Sequence, residues 1–355
     1  MAAAKSRKRV HCLLAAGRDI GIGHLTRTVA VARELNTLGA AVYLHLRHHP
    51  DDWPALKPLT ASLPVEAWGG KTLPRSAHRA ELLLLDYRSH LPTTFWQDAK
   101  QCRVVAGLDD SSPNRLHCSV LFYPPVPQIT QMDWNGFQGE LRIGWPWVAL
   151  GGGNAGVQVS PCRRAGPLRV LLLTGGGDPY DLTPPQLTAL RRRLPEAEIT
   201  VVVGPVANLK LTAAVIREPG PPVRLLHGVN PADMPRLIQD ADAALSVYGM
   251  SALELAALAV PAVLMPINAD QAASAEALAL TRAALLAPIP DLNQPTAACE
   301  AAADILTELL HTPSRLQTMH KAAAALKLGH GAGNIARELM RLLNNQRKFY
   351  EPFEY

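Results

Sequence analysis

The sequence predicts an α/β protein of two domains, each built from parallel βα repeats, facing one another across a cleft. Three observations predict it. Short Val- and Leu-rich runs recur, each followed by an Ala/Leu/Arg segment of helical spacing, which is the pattern of βαβ units. The rhythm is interrupted at Gly151, Gly152, Gly153, Asn154, Ala155, Gly156 and Pro161, a composition that breaks regular structure and reads as a linker. The chain's 355 residues also exceed the size at which one hydrophobic core keeps growing.

The expected domains are therefore 1–150 and 165–330. The first reads as a strand over 10–15, a helix over 24–38, and strands over 41–46, 81–86 and 103–108. The second restarts with a strand over 169–173, a glycine loop, a helix over 184–194 and a strand over 198–203. A helix over 231–239, a strand over 243–247, a helix over 251–259 and a strand over 262–265 follow. Two helix starts are marked by capping chemistry. Thr183, Pro184 and Gln186 set a capping Thr before a first-position proline and a Gln that reaches back, and Asn230 with Pro231 repeats the device.

Composition narrows the function classes. Hydrophobic residues make up 48% and charged residues 18%, as in a globular protein rather than a disordered one. The net charge of +5 suits anionic substrates or peripheral contact with an acidic membrane surface. No basic stripe interleaves with aromatics, which total only 5%, so nucleic acid is not an expected partner. No apolar run approaches the roughly 20 residues that span a bilayer. The basic cluster Lys5, Arg7, Lys8, Arg9 leads into an apolar run that Arg18 and Asp19 cut short, so a cytoplasmic location is expected. Five cysteines, none in a C-x-x-C pair, point to buried thiols rather than disulfides or a zinc site. His45, His48 and His49 lack a helical metal-ligand register, and no metal cofactor is expected.

In open parallel sheets, ligands bind outside the carboxyl ends of the strands, so the loops there hold the candidates. The turn after the first strand reads Gly21, Ile22, Gly23, His24, with Arg27 one helical turn on. Its glycines allow close ligand approach, and His24 at the helix start is a candidate general base for a hydroxyl or water attacking an anomeric carbon. Equally, the glycines shape a tight turn and His24 caps it. After a strand of the second half, Gly249, Met250 and Ser251 offer helix-start amides to a diphosphate, with Glu254 placed to accept ribose hydroxyls. Ser251 and Glu254 also spell a capping box, and the residues alone leave both readings open. Gly175 and Gly176, before Asp178, form a third loop that can admit a phosphate. Asp270 and Gln271, after Asn268, are candidates for reading sugar hydroxyls, or simply open a helix. The strand-end acids Asp86, Asp109 and Asp110 have the weaker signal of loop formers.

Together these motifs resemble the GT-B glycosyltransferase superfamily, whose members have two Rossmann-like domains across a cleft. Gly21, Gly23, His24 and Arg27 are similar to the G-x-G-H-x-x-R start of two groups. One is the bacterial glycosyltransferases of the spore-coat polysaccharide type, and the other is the UDP-sugar hydrolase of pseudaminic acid synthesis. The segment from Ala241 and Asp242 through Gly249, Ser251 and Glu254 to Pro261, Asp270 and Gln271 resembles the donor half of those groups and, more distantly, of the muramyl-lipid GlcNAc transferase. The resemblance implies a metal-independent glycosyltransferase of cell-surface or polysaccharide synthesis. In it His24 is the base, Glu254 holds the donor ribose, Gly249 to Ser251 hold the diphosphate, and Gln271 reads the sugar. The donor is then a nucleotide-sugar, with UDP as the expected nucleotide, and the acceptor a glycan, a lipid-linked or a small molecule. Residues 331–355 are the helix that returns to the first domain, and a tail. The alternatives are a UDP-sugar hydrolase of a nonulosonic acid pathway and a non-catalytic sugar-nucleotide binder. Two departures separate this chain from the hydrolases. Asp86 and Tyr87 are adjacent where that group has one more residue between them, and Leu150 and Gly151 stand near the place of its arginine.

Overall fold

Runs of Val and Leu buried on both faces set the two sheets of the computed structural model, which describes residues 7–17, 20–61, 63–151, 166–204, 207, 209–230 and 232–345. The chain begins β1 (Arg9–Ala15), α1 (Gly23–Thr37), β2 (Ala41–Arg47), α2 (Trp53–Leu56), β3 (Val65–Ala67) and β4 (Leu82–Asp86). It continues α3 (Thr93–Ala99), β5 (Val104–Leu108), β6 (Val120–Tyr123), α4 (Gln128–Gln131) and β7 (Glu140–Ile143). Past the linker come β8 (Arg169–Leu173), α5 (Thr183–Arg193), β9 (Glu198–Val203), α6 (Lys210–Arg217), β10 (Val223–His227) and α7 (Met234–Gln239). Then follow β11 (Ala243–Val247), α8 (Met250–Ala257), β12 (Ala262–Met265), α9 (Ala269–Ala279) and β13 (Leu285–Leu286). Three helices close the chain: α10 (Thr296–Leu310), α11 (Pro313–Ala325) and α12 (Gly331–Asn344).

The chain divides into two units. The first joins residues 1–125, 129–151 and 330–355, and the second joins 126–128 and 152–329. The first holds a seven-stranded sheet in the order β3-β2-β1-β4-β5-β6-β7, and the second a six-stranded sheet in the order β10-β9-β8-β11-β12-β13. The described pairings within both sheets are parallel. Counted from its own first strand, each sheet follows the 3-2-1-4-5-6 order of a Rossmann-like domain. The strand order therefore reverses between β1 and β4 in one unit and between β8 and β11 in the other. Those are the places where such sheets bind ligands.

Helix α12 belongs to the first unit. Its buried stripe Ile335, Ala336, Leu339, Leu342 and Leu343 joins the core formed by β1, β2 and α1. Arg142 fixes its polar side, donating to Glu338 Oε1 from Nη2 at 2.7 Å and from Nε at 3.1 Å. Arg341 bonds the same carboxylate and pulls it down to about 2 together with Arg142, against the upward push of burial.

The capping expected at Thr183 is absent. Thr183 is the first residue inside α5, and Gln186 is fully buried with its Nε2 3.2 Å from Met265 Sδ. The cap comes instead from Asp178, whose carboxylate accepts from the Leu182 amide at 2.9 Å, the Thr183 amide at 3.0 Å and Thr183 Oγ1 at 2.5 Å. Three aligned donors to one ionised acceptor outweigh the single bond that a Thr cap offers. Pro231, Cys162 and the linker over 152–165 lie outside the described residues. Cys12, Cys102, Cys118 and Cys299 are buried free thiols. Among the described residues no helix is long and apolar enough to cross a membrane. The strands over 65–67, 120–123, 140–143, 223–227 and 285–286 are absent from the sequence reading; each has two to five residues, too few to show a clear periodicity.

A buried histidine pair lies within the interior of the first unit. His11 Nδ1 lies 2.8 Å from His45 Nε2, and the His11 ring stacks on Tyr43 at 4.8 Å. Burial, helped by His45 and Arg9 and opposed by Glu66, lowers His11 to about 4, and burial lowers His45 in the same way against Glu66. Below pH 6.5 the unfolded chain thus binds protons that the folded chain refuses, so stability is complete above that pH and is lost as pH falls toward 4. Chemical denaturation at pH 7 and pH 5 should show a loss of about 1–2 kcal/mol from this pair, reduced in His11→Phe.

Candidate active site

The first candidate site forms around the carboxyl ends of β1 and β4, on the two sides of the strand-order reversal. β1 runs into a turn closed by Gly17 and Gly21, with the Gly21 amide donating to Gly17 O at 2.7 Å and the Gly17 amide returning to Gly21 O at 3.2 Å. Gly21 has φ +83°, a left-handed conformation that a side chain strains, and the space where a Cβ would sit is open. Arg18 and Asp19 lie outside the described residues. Gly23 opens α1, so His24 and Arg27 stand on its first turn and project beside the end of β4.

There they meet Asp86, the last residue of β4, whose side chain is fully buried. Asp86 Oδ1 lies 2.5 Å from His24 Nδ1 and accepts from Arg27 Nη2 at 2.5 Å. Its Oδ2 accepts from Arg27 Nε at 2.6 Å and from Thr28 Oγ1 at 2.9 Å. A carboxylate accepts at about four lone-pair positions, and all are taken. Burial pushes the carboxyl up, but the charges of Arg27 and His24 and their hydrogen bonds outweigh it, so Asp86 is held well below the ordinary carboxylate range. Arg27 is pulled down by burial and held up more strongly by Asp86 and Asp109, the latter 3.0 Å from Nη1. Asp109 adopts φ +48° and also accepts from Arg88 Nη2 at 2.7 Å.

This geometry fixes the imidazole. An ionised carboxylate only accepts, so the 2.5 Å contact places a proton on His24 Nδ1, and in the neutral ring Nε2 is then the acceptor. His24 keeps 19% of its side chain exposed, while Asp86 is fully buried. Asp110, next along, is buried, accepts from the Ser112 amide at 2.7 Å, and is raised to about 6 by burial. It braces its loop.

The second candidate site lies at the carboxyl ends of β8 and β11, the corresponding reversal in the other unit. Helix α8 starts at Met250 with Gly249 as its N-cap, and no side chain caps it. The capping box open from the sequence therefore does not form. Ser251 is already the second helical residue, and Glu254 lies two positions beyond where a box needs its acid. The Glu254 carboxylate accepts no hydrogen bond among the described residues, is half-buried, and is raised by burial to about 7. Gly249 has extended backbone, and nothing lies within 4 Å of its absent Cβ, so neither conformation nor packing demands glycine there. The open space lies next to the unpaired amides of the first turn of α8.

Across the reversal, Gly175 has φ +82° with open space at its Cβ position, and a Cβ on Gly204 would strike the backbone of Gly176. The β8 loop thus requires glycine at 175 for its turn, and the loop after β9 requires glycine at 204 to pack against it. At α9, Asn268 Oδ1 caps the Gln271 amide at 2.8 Å, while Gln271 Oε1 accepts from the Ile267 amide at 3.1 Å. Gln271 therefore spends its carbonyl on the helix start, and its NH₂ makes no bond among the described residues. Asp270 accepts from Gln128 Nε2 through its backbone oxygen at 2.7 Å and its carboxylate at 3.2 Å.

No family model and no curated protein matches the sequence. The fold, however, is similar to solved structures over nearly the whole chain. MurG of Acinetobacter baumannii has 17% identity and a TM-score of 0.63, covering 94% of this chain and 99% of its own. The calicheamicin glycosyltransferase CalG4 has 15% identity and a TM-score of 0.59, covering 96% and 100%. The S. aureus MnaA–UDP structure has 8% identity and a TM-score of 0.60, covering 95% and 97%. With the two sheet orders, these likenesses define the fold as GT-B, with two Rossmann-like domains.

Asp86 is only a weak candidate in the sequence because an acid at a strand end is common. The available signal was its position at the end of the strand that pairs with β1, where the His24 turn begins. Removing it leaves the buried Arg27 without its main partner, so Asp86→Ala should lower the unfolding free energy by about 3–5 kcal/mol in urea titration. Thr28→Val, which removes one bond to the same carboxylate, should cost only about 1–2 kcal/mol.

Proposed function

We propose that this chain is a metal-independent glycosyltransferase that moves the sugar of a UDP-sugar onto the hydroxyl of an acceptor molecule. The observation that carries the reading is the His24–Asp86 pair at the strand-order reversal of the first unit, with its 2.5 Å contact and no bond to Nε2 among the described residues. His24 Nε2 takes the acceptor's proton as its oxygen attacks the anomeric carbon, and Asp86 balances the imidazolium that forms. The bond to the diphosphate breaks, with inversion at the anomeric carbon.

The second unit supplies the donor site in this reading. The unpaired amides of Met250 and Ser251 receive the leaving diphosphate, in the role a metal ion plays elsewhere. A hydrogen bond to a charged group contributes about 1.5–3 kcal/mol and a helix dipole about 0.3–1 kcal/mol, so the directed amides dominate. Glu254, freed from any cap, accepts the ribose hydroxyls. The amide NH₂ of Gln271 addresses the sugar, and the Gly175–Gly176 loop leaves room for it. MnaA, solved with UDP, supports the choice of nucleotide through its fold.

His24→Ala should reduce kcat by about 10²–10⁴ while UDP-sugar affinity is unchanged, measured by coupled detection of released UDP. EDTA should leave that rate unaltered, and release without an acceptor would make the enzyme a hydrolase. Gly249→Val should fold normally yet abolish the thermal shift produced by UDP; an unchanged shift would remove α8 from the site. UDP-sugar affinity should rise as pH increases through about 7, because ribose hydroxyls donate to the ionised Glu254, and Glu254→Gln should remove that dependence.

A further inference from the structure

A cavity of about 560 Å³ lies at the carboxyl ends of β2 and β3, within the first unit. Its lining includes Leu46, Val65 and Ala67 from the strands, and Trp53, Trp68 and His48 from the loops that follow. The aromatic walls are ordered: His48 stacks on Trp53 at 5.1 Å and 18°, and Trp68 is tied by Nε1 to Thr72 O at 2.8 Å. Among the described residues no acid, lysine or arginine lines it. This size and lining match a small-molecule site and offer little to a charged or polyhydroxylated ligand.

Strand register links this cavity to the His24–Asp86 pair. Ala67 pairs with Leu46, Leu46 with Leu14, and Leu14 with Asp86, so the four residues form one row across β3, β2, β1 and β4. Residues paired in this way face the same side of a parallel sheet, and neighbouring strands are about 4.8 Å apart. Leu46 in the cavity and Asp86 at the base are therefore roughly 10 Å apart on one face. Leu14 on β1 stands between them, and the glycine turn that follows β1 packs closely on Asp52: a Cβ on Gly17 would strike Asp52 Oδ2. On the other side Trp68 packs against Tyr87, the neighbour of Asp86, at 4.8 Å.

We infer that this cavity holds the apolar, ring-bearing part of the acceptor, and that the acceptor is an uncharged small molecule whose hydroxyl reaches His24 Nε2 from a ring system about two rings long. The inference rests on the transferase reading and names its acceptor class. An aromatic or alicyclic ring gains from stacking on His48 and Trp53 and from leaving water, whereas a sugar chain would leave its hydroxyls unpaired against Leu46, Val65 and Ala67.

The test uses the full chain with 4-phenylphenol, which carries its hydroxyl at one end of two rings, and maltose as the polar comparison. Tryptophan fluorescence should report saturable binding of 4-phenylphenol and none of maltose. Gly69→Phe fills the cavity; Gly69 has an ordinary φ and open space at its Cβ position, so the fold and the UDP thermal shift should persist while 4-phenylphenol affinity drops at least 10-fold. Ala67→Phe, on an exposed position of the same wall, provides an independent second block. With UDP-glucose, 4-phenylphenol should accelerate UDP release in the wild type and not in either variant. The inference is overturned if 4-phenylphenol does not bind, if both variants bind it as well as the wild type, or if it binds without accelerating a protein that turns over donor with maltose. Loss of all UDP binding would instead overturn the transferase reading, with the cavity still judged by fluorescence.

Discussion

The site in the first unit depends on one buried carboxylate. Asp86 ends β4 with no solvent contact and receives Arg27, His24 and Thr28 together. Burying a lone charge is costly, and here the cost is offset because every lone pair is used and the guanidinium binds in bidentate fashion. The same interaction therefore does two things. It locks the first turns of α1 onto the end of β4, and it leaves His24 with one defined tautomer. Asp109 extends the arrangement by holding Arg27 from its other side, with its own left-handed backbone fixed by Arg88.

Both sheets reverse their strand order after the first strand, and in both the loops on either side of that reversal hold the candidate groups. In the first unit these are the glycine turn with His24, and Asp86. In the second they are the Gly175–Gly176 loop and the start of α8. The glycines differ in physical reason. Gly21 and Gly175 need a left-handed φ, whereas Gly249 is extended and unpacked, so only the space it leaves distinguishes it from another residue. The aromatic cavity beside the first reversal belongs to the same logic, since parallel register carries Ala67 and Leu46 in line with Asp86.

Where the sequence reading went astray, a local signal competed with a longer-range one. Thr183 and Gln186 look like a cap because their spacing is right, but Asp178 offers stronger acceptors from the preceding loop and Gln186 is drawn into the core. At Ser251 and Glu254, where capping spacing left two readings open rather than a wrong one, α8 begins one residue before Ser251 and leaves Glu254 unpaired among the described residues. Spacing measures distance along the chain, and a cap depends on which residue first takes helical dihedrals.

The sequence by itself determined the α/β class, the strand and helix rhythm, and the glycine turn with His24 and Arg27, because hydrophobic period and backbone permissiveness are local properties. It also placed Gly249, Ser251 and Glu254 at a helix start. Only the tertiary structure decided that His24 pairs with Asp86, 62 positions away, and that a cavity formed by residues near 46, 53 and 68 lies in the same row. Those partners meet through strand order and register, which arise when the whole sheet assembles and which no single segment encodes.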